Sequence, residues 1–465
     1  MKINEKHHTI AAISTAQGAG GIGIIRISGV NAAEIADCVF TSPYGKTIAA
    51  ARGYTALYGK IHMPIAENEA PVWIDEAIAL VFRAPASFTG EDVVELSCHG
   101  GLTVTQQVLR AVLQAGAVPA QAGEFTKRAF LNGKLGLTEA ESVMQLISAQ
   151  GEQAAKVALA GHQGALHKII TQIRERLVAA AAHLSAWADY PEEDIAQLTP
   201  ESLKEDLQTA NNEIDRLLAQ FGAGKALREG VNTVIAGRPN AGKSTLMNLL
   251  AGCERSIVTP LAGTTRDVVE ETVLLGGVPL RLADTAGLHQ TDDPIEQLGI
   301  DRARERLKTA ELVFAVFDTA CPLNDEDRAL TAQLRGFPAI AVLNKSDLPQ
   351  QADVAFLQEQ FVYTVALSAI SGEGLSQLAH AVTQVLQTAT LDPAQGILST
   401  ERQRNAAQRA QQALCEAIMA LENGVTLDAI TVSLEGAIAA LLELTGERTT
   451  DAVVDAVFAQ FCVGK

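Results

Sequence analysis

Hydrophobic patterning divides the chain into three regimes. Up to about residue 122, short apolar or alternating runs are separated by turn residues and predict strands: Ile22-Gly23-Ile24-Ile25-Arg26-Ile27, Tyr54-Thr55-Ala56-Leu57-Tyr58, Ala77-Ile78-Ala79-Leu80-Val81-Phe82 and Val93-Val94-Glu95-Leu96. A helical stretch over 102–115 interrupts them, so 1–122 is expected to be an α+β domain. From 123 to 227 apolar residues recur every three or four positions, predicting helices over 126–132, 138–150, 153–190 and 200–221. Thr199-Pro200-Glu201 supplies a hydroxyl cap and a first-turn proline, and Gly222-Ala223-Gly224 is expected to close the section. Residues 228–388 read as one α/β unit, with strand-like runs at Val234-Ile235-Ala236, Leu280-Arg281-Leu282-Ala283 and Ala339-Ile340-Ala341-Val342-Leu343. Leu391-Asp392-Pro393-Ala394-Gln395-Gly396 reads as a linker, and 400–461 are helical again. The expected fold is therefore multidomain, α/β plus α: an N-terminal α+β domain, a helical domain made of 123–227 and 389–465, and an α/β domain inserted between its two arms.

Composition narrows the function. The chain has 465 residues, room for two to four cores, and its 48% hydrophobic and 19% charged content is that of a soluble globular protein. No apolar run approaches the ~20 residues of a membrane span, and the first eight residues lack a signal-peptide core, so no membrane association is expected. Cysteines at 38, 98, 253, 321, 415 and 462 form no C-x-x-C pair, which favours reduced thiols and a cytoplasmic location. A net charge of −18 excludes a bulk polycation, so any RNA contact needs a local basic patch or a partner protein.

The strongest chemistry is Gly237-Arg238-Pro239-Asn240-Ala241-Gly242-Lys243-Ser244, a complete phosphate-binding loop between a predicted strand and a predicted helix. Its backbone N–H groups face a phosphate, Lys243 reaches the β/γ-phosphates and the Ser244 hydroxyl suits Mg²⁺. Downstream, Thr265 of Thr264-Thr265 can offer a second hydroxyl to Mg²⁺. In Asp284-Thr285-Ala286-Gly287, Asp284 can hold the metal's water shell and the Gly287 N–H can sense the γ-phosphate. Asp347, in Asn344-Lys345-Ser346-Asp347, can accept two hydrogen bonds from guanine that adenine does not supply in that arrangement. Ser368-Ala369-Ile370 suits backbone donation to guanine O6. Five motifs in this order specify a Mg²⁺-dependent GTPase. By contrast Gly18-Ala19-Gly20-Gly21-Ile22-Gly23 matches the dinucleotide pattern G-x-G-x-x-G only literally, because a strand rather than a helix follows it.

Several blocks together resemble one family, the tRNA-modifying GTPase family MnmE (TrmE). They are Gly23-Ile24-Ile25-Arg26-Ile27-Ser28-Gly29, Ser87-Phe88-Thr89-Gly90-Glu91-Asp92-Val93-Val94-Glu95, and the run from Gly123-Glu124-Phe125-Thr126 through Lys127-Arg128-Ala129-Phe130 to Leu131-Asn132-Gly133-Lys134. The phosphate loop, Gly263-Thr264-Thr265-Arg266-Asp267 and the ending Cys462-Val463-Gly464-Lys465 extend the likeness over essentially the full length. The resemblance implies an N-terminal folate-binding domain that makes a homodimer, and partnership with the flavoprotein MnmG (GidA). It implies installation of an aminomethyl-type group, such as carboxymethylaminomethyl, on C5 of the wobble uridine of certain tRNAs. The one-carbon donor would be a 5-formyl- or 5,10-methylene-tetrahydrofolate, bound through Arg26, Glu95, Lys134 and Lys465.

The same resemblance implies potassium-activated hydrolysis, with Asn240, Thr259, Leu261 and Thr264 as the K⁺ ligands. The expected GTP contacts are Asn240, Ala241, Gly242, Lys243, Ser244 and Thr245, then Thr259, Pro260, Leu261, Ala262, Gly263, Thr264 and Thr265. Asp284, Thr285, Ala286 and Gly287 follow, with Asn344, Lys345 and Asp347, and then Ser368, Ala369 and Ile370. Ras-type enzymes place a water-orienting glutamine where this chain has Leu288, which can neither donate nor accept a hydrogen bond. The resemblance nominates Glu296 instead, acting through a bridging water, and gives K⁺ the charge-neutralising task of an arginine finger. Cys462 reads as a small residue of an ordered tail, with a nucleophilic role as the alternative. A ribosome-assembly switch is the competing function, disfavoured by the helical arm and tail that follow the GTPase unit; a folate-dependent transferase with a merely regulatory GTPase is a third.

Overall fold

A computed structural model describes residues 8–16, 18–65, 70–189, 200–252, 271–283 and 309–464. Two compact units emerge, one comprising Met1–Met144 with Thr445–Lys465 and the other Gln145–Leu444.

In the first unit β1 (Ile10–Ile13), β2 (Ile22–Ser28), α1 (Ala32–Asp37), β3 (Phe40–Thr41), β4 (Thr55–His62), β5 (Trp73–Phe82), β6 (Val93–His99), α2 (Leu102–Gln114) and β7 (Val118–Pro119) precede α3 (Glu124–Leu131) and α4 (Leu137–Ser148). The strands form one sheet in the order β3-β4-β5-β6-β2-β1-β7, antiparallel except for the β1–β7 edge. Strand alternation sends Ile25, Ile27, Val94 and Leu96 into a core shared with Ala32, Ala36, Val108 and Val112 of α1 and α2. The opposite face carries Arg26, which pairs across the strands with Glu95 on β6 and Ala12 on β1. Over that face α3 lays Phe125 against Ile10, Ala12 and Ala120.

The chain end belongs to this unit. Phe458 and Phe461 pack with Leu137 and Ala140, and Ala122 bridges to Val463. Gly464 has φ 96, and a Cβ there would lie against the Ile13 carbonyl oxygen, so only glycine lets the tail approach β1 this closely. This compact unit reaches Met144 and takes in the tail, because the apolar faces of α3, α4 and the terminal helix Asp451–Phe458 bury one another.

In the second unit α5 (Glu152–His162), α6 (Ala165–Asp189) and α7 (Pro200–Glu229) lead into β8 (Val231–Ala236), α8 (Lys243–Ala251), β9 (Glu271–Leu275), β10 (Val278–Ala283), β11 (Leu312–Asp318), α9 (Asp325–Gln333), β12 (Ala339–Asn344), α10 (Val354–Gln360), β13 (Tyr363–Leu367) and α11 (Leu375–Val385). Helices α12 (Glu401–Glu422) and α13 (Leu427–Thr445) follow. The sheet order is β13-β12-β11-β8-β10-β9, parallel but for the β9–β10 hairpin. Its strands β11 and β12 are buried at every position, as a sheet covered on both faces requires. Helices α6, α7, α12 and α13 enclose a separate core of leucine, isoleucine and alanine, so the arms before and after the α/β domain complete one bundle.

Three expectations about the helical arms are corrected. The predicted helix 153–190 is two helices, because Gly164 adopts φ 84 between α5 and α6. Gly222-Ala223-Gly224 does not end α7, which runs on to Glu229; a Cβ on Gly224 would sit 2.7 Å from Ile397 Cγ2, so this glycine serves helix packing rather than termination. The segment 391–396 is no free linker, since Leu391 and the following Ile397 are buried in the α/β core.

Candidate functional site

The carboxyl ends of β8, β12 and β13 carry the described nucleotide motifs, as expected for an open parallel sheet. The phosphate loop leaves β8 and enters α8 at Lys243. Asn240 takes φ 62 at the bend, and Ser244 and Thr245 are exposed on the first turn of α8, where the helix dipole favours an anion. The Lys243 Nζ donates to the carbonyls of Gly237 and Arg238, both at 2.8 Å. Burial pushes its pKa below the ordinary lysine value, partly offset by the Glu326 carboxylate. A cation so desolvated, hydrogen-bonded to two backbone carbonyls, is poised for a phosphate.

Asn344 ties the loops together. Its Nδ2 donates to the Ala241 carbonyl at 2.8 Å and its Oδ1 accepts from the Ala369 N–H at 3.1 Å. One buried side chain thus fixes the phosphate loop, the end of β12 and the segment Ser368-Ala369-Ile370 relative to one another. Ser368 is fully buried, and its loop closes by a bond from the Gly372 N–H to the Ser368 carbonyl at 2.8 Å. Ile370 and Asp347 remain exposed beside this framework, available to a base. Arg238 of the loop leans on Asp327, with Nε 3.6 Å from Oδ2. Thr259, Pro260, Leu261, Ala262, Gly263, Thr264, Thr265, Asp284, Thr285, Ala286, Gly287 and Glu296 lie outside the described residues, as does Lys465.

The first unit holds a second constellation. Arg26 donates through Nε to Glu95 Oε1 at 2.8 Å, with Nη2 equally close to the same oxygen. Both side chains are mostly buried, at 17% and 16% exposure, so they are not solvated surface charges. The Arg26 guanidinium also lies 5.8 Å from the Phe88 ring and 5.6 Å from the Phe125 ring, close enough for cation–π attraction. The Gly464 carbonyl is 3.5 Å from Nη1, which brings the chain end to this pair. Lys134 donates to the Pro85 carbonyl at 3.0 Å, and its stem packs on Gly90 of the same loop that carries Phe88. Sequence reasoning missed Phe88 and Phe125 as parts of this site. They stand within the family-like blocks, but nothing in their spacing distinguishes them from ordinary core aromatics.

In the same unit, Ser28 donates to Glu91 at 2.8 Å, and Arg128 bridges Glu91 and Glu124 at 3.1 and 2.9 Å. This largely buried network anchors α3 to the loop that leads into β6.

Comparison with known proteins covers both units. Residues 9–134 match the family model for the GTP-binding protein TrmE N-terminus, and residues 137–462 match that for the MnmE helical domain. A "tRNA modification GTPase MnmE" of Symbiobacterium thermophilum is 44% identical over 460 residues, covering 98% of this chain and 99% of its own length. A protein of the same name from Geobacillus thermodenitrificans is 41% identical, with 98% and 99% covered. Among solved structures, the G domain of T. maritima FeoB is 24% identical over 33% of this chain and 98% of its own, with a TM-score of 0.26.

Proposed function

The chain belongs to the MnmE family of tRNA modification GTPases and is a GTP hydrolase; from that premise we propose that, with the flavoprotein MnmG, it adds an aminomethyl or carboxymethylaminomethyl group at C5 of the wobble uridine of certain tRNAs. The observation that carries the folate half of this reading is the Arg26–Glu95 pair between two aromatic rings, reached by the chain end. A pterin offers flat faces and amide-like donors and acceptors. Both Arg26 contacts fall on Oε1 of Glu95, so the carboxylate has a second oxygen to offer a pterin amine. A bound 5-formyl- or 5,10-methylene-tetrahydrofolate supplies the one-carbon unit, with Lys134 and Lys465 as further contacts. Phe88 and Phe125 exclude water beside Arg26.

In the α/β domain, Lys243 exchanges its two backbone carbonyls for phosphate oxygens. The exposed Ser244 hydroxyl fits a hard cation, so Ser244 and Thr265 would hold magnesium, which neutralises charge on the β/γ-phosphates. Asn240, whose amide oxygen is a hard donor, would with Thr259, Leu261 and Thr264 hold a potassium ion that supplies positive charge in place of an arginine finger. Glu296 orients the attacking water. The three-domain division at 122, 227 and 388 is part of this reading, with the first domain as the dimerising one. Tyr58, Ile78, Trp73 and Ile22 support that role: they expose apolar surface on β4, β5 and β2, which a second copy would cover. Among the described residues no helix is long and apolar enough to cross a membrane; the cytoplasmic location belongs to this reading through its tRNA substrate.

Nucleoside mass spectrometry of tRNA from cells lacking this chain tests the proposal. Loss of the modified wobble uridines, restored by the wild-type chain and not by Glu95→Ala, is the expected result. Unchanged wobble uridines refute it.

A further inference from the structure

Asp318 ends β11, and its side chain is 8% exposed. One oxygen, Oδ1, accepts from the Ala320 N–H at 3.0 Å. The other lies 2.6 Å from the Nζ of Lys345, the residue that follows Asn344 at the end of β12. Lys345 itself holds φ 63, a left-handed backbone that costs a lysine free energy unless its surroundings impose it. Those surroundings are plain. The Leu348 N–H donates to the Lys345 carbonyl at 3.0 Å and the Ser346 N–H to the Leu367 carbonyl at 3.3 Å. The loop after β11 is laced to the same place. Both the backbone N–H and the hydroxyl of Thr319 donate to the Asn344 carbonyl, at 3.0 and 2.9 Å, and the Gln351 N–H donates to the Thr319 carbonyl at 2.8 Å.

We propose that Asp318 is a positioning residue for guanine nucleotides: by gripping the Lys345 ammonium across two strand ends it stretches the lysine stem along the approach to the base, between Asn344 and Asp347. Lys345 is 31% exposed, so without its partner the ammonium would turn into water and the stem would sample many rotamers. Nucleotide binding would then have to order a long, freely rotating side chain, which weakens affinity. The grip lies at the base end, away from the γ-phosphate. It therefore acts equally on GDP and GTP and leaves the chemical step alone. The inference rests on the guanine reading of 344–347.

The test is Asp318→Asn in the full chain. The amide keeps an oxygen for the Ala320 N–H and removes the charge and the acceptor that face Lys345. Dissociation constants for N-methylanthraniloyl-GDP and -GTP are measured by fluorescence, together with kcat at saturating GTP and thermal unfolding. Both dissociation constants should rise about tenfold, the size of one charge-assisted hydrogen bond, with kcat and the melting transition nearly unchanged. In a Lys345→Met background, which keeps the stem and lacks the charge, Asp318→Asn should add nothing. Unaltered affinities overturn the proposal, as does an equal loss in both backgrounds. A fall in kcat together with the melting temperature would mark Asp318 as merely structural and overturn it too. Failure of the wild-type chain to bind either nucleotide would instead remove the guanine reading itself.

Discussion

The Asn344 side-chain amide donates to the Ala241 carbonyl at 2.8 Å, joining the end of β12 to the phosphate loop 103 residues earlier. With its other end on the Ala369 N–H, this buried amide engages the fold through both its nitrogen and its oxygen. Asn344→Ala should orphan both backbone partners at about 1–3 kcal/mol each. The expected outcome is a lower melting transition of the α/β domain and weaker GDP binding, measured by calorimetry and nucleotide fluorescence. Asn344→Asp, which can accept but not donate, should lose the Ala241 contact and keep the one to Ala369.

The chain end gives a second prediction. Gly464→Ala places a methyl group against the Ile13 carbonyl at a φ that alanine resists, and should cost about 1–3 kcal/mol locally. Peeling the tail from β1 should abolish 5-formyltetrahydrofolate binding, measured by calorimetric titration, and leave GTP hydrolysis by the isolated chain intact. Retained folate affinity would dissociate the tail from the Arg26 site.

The exposed His99 pairs with the mostly buried Asp75, Nδ1 to Oδ1 at 2.7 Å. The hydrogen bond from His99, and then the negative charge of Asp75, raise the histidine above its ordinary 6.5. Burial alone would raise Asp75, but the hydrogen bonds from the His99 backbone and ring outweigh it and hold the carboxyl below 3.8. The histidine's stabilising share is complete below pH 6.5 and fades as pH rises through its elevated pKa. The aspartate's share is complete above pH 3.8 and fades as pH falls through its depressed one. NMR titration of the imidazole should therefore show a midpoint above 6.5, returning toward 6.5 in Asp75→Asn.

Beside that pair, burial and then the Asp75 charge push the Cys98 thiol up to about 11. At pH 8 almost none of it is thiolate, whereas Cys38, Cys321 and Cys462 are exposed. Brief iodoacetamide treatment followed by peptide mass spectrometry should label those three and spare Cys98 until the protein is denatured.

The nucleotide motifs were legible because each is local: a phosphate loop, a strand-ending Asn-x-x-Asp and a short donor segment are contiguous runs whose spacing carries their chemistry. Strand alternation likewise announced β2 and β6, and a 3.6-residue period announced α7. What stayed hidden depends on contacts between distant residues. The burial of Arg26 and Glu95 follows from cross-strand register and from two phenylalanines on separate segments. The grip of Asp318 on Lys345 spans 27 residues with no shared motif. Gly224 looks like a breaker until the neighbouring Ile397 and Leu398 show why a glycine is wanted at that point inside a helix. The short helix α1 escaped notice because six residues carry too little periodicity to separate it from a turn.

Helix α7 has 30 residues, and one glycine separates its last turn from β8, the strand that feeds the phosphate loop. Ala223, Ala226 and Leu227 share a hydrophobic core with β8, β10 and α11, so the end of this helix is part of the α/β domain's own packing. Leu207, Ala210, Ile214 and Leu217 of the same helix are buried in the bundle core. One continuous helix about 45 Å long is therefore a member of two cores, and its backbone makes the packing of the nucleotide domain and that of the bundle a single mechanical problem.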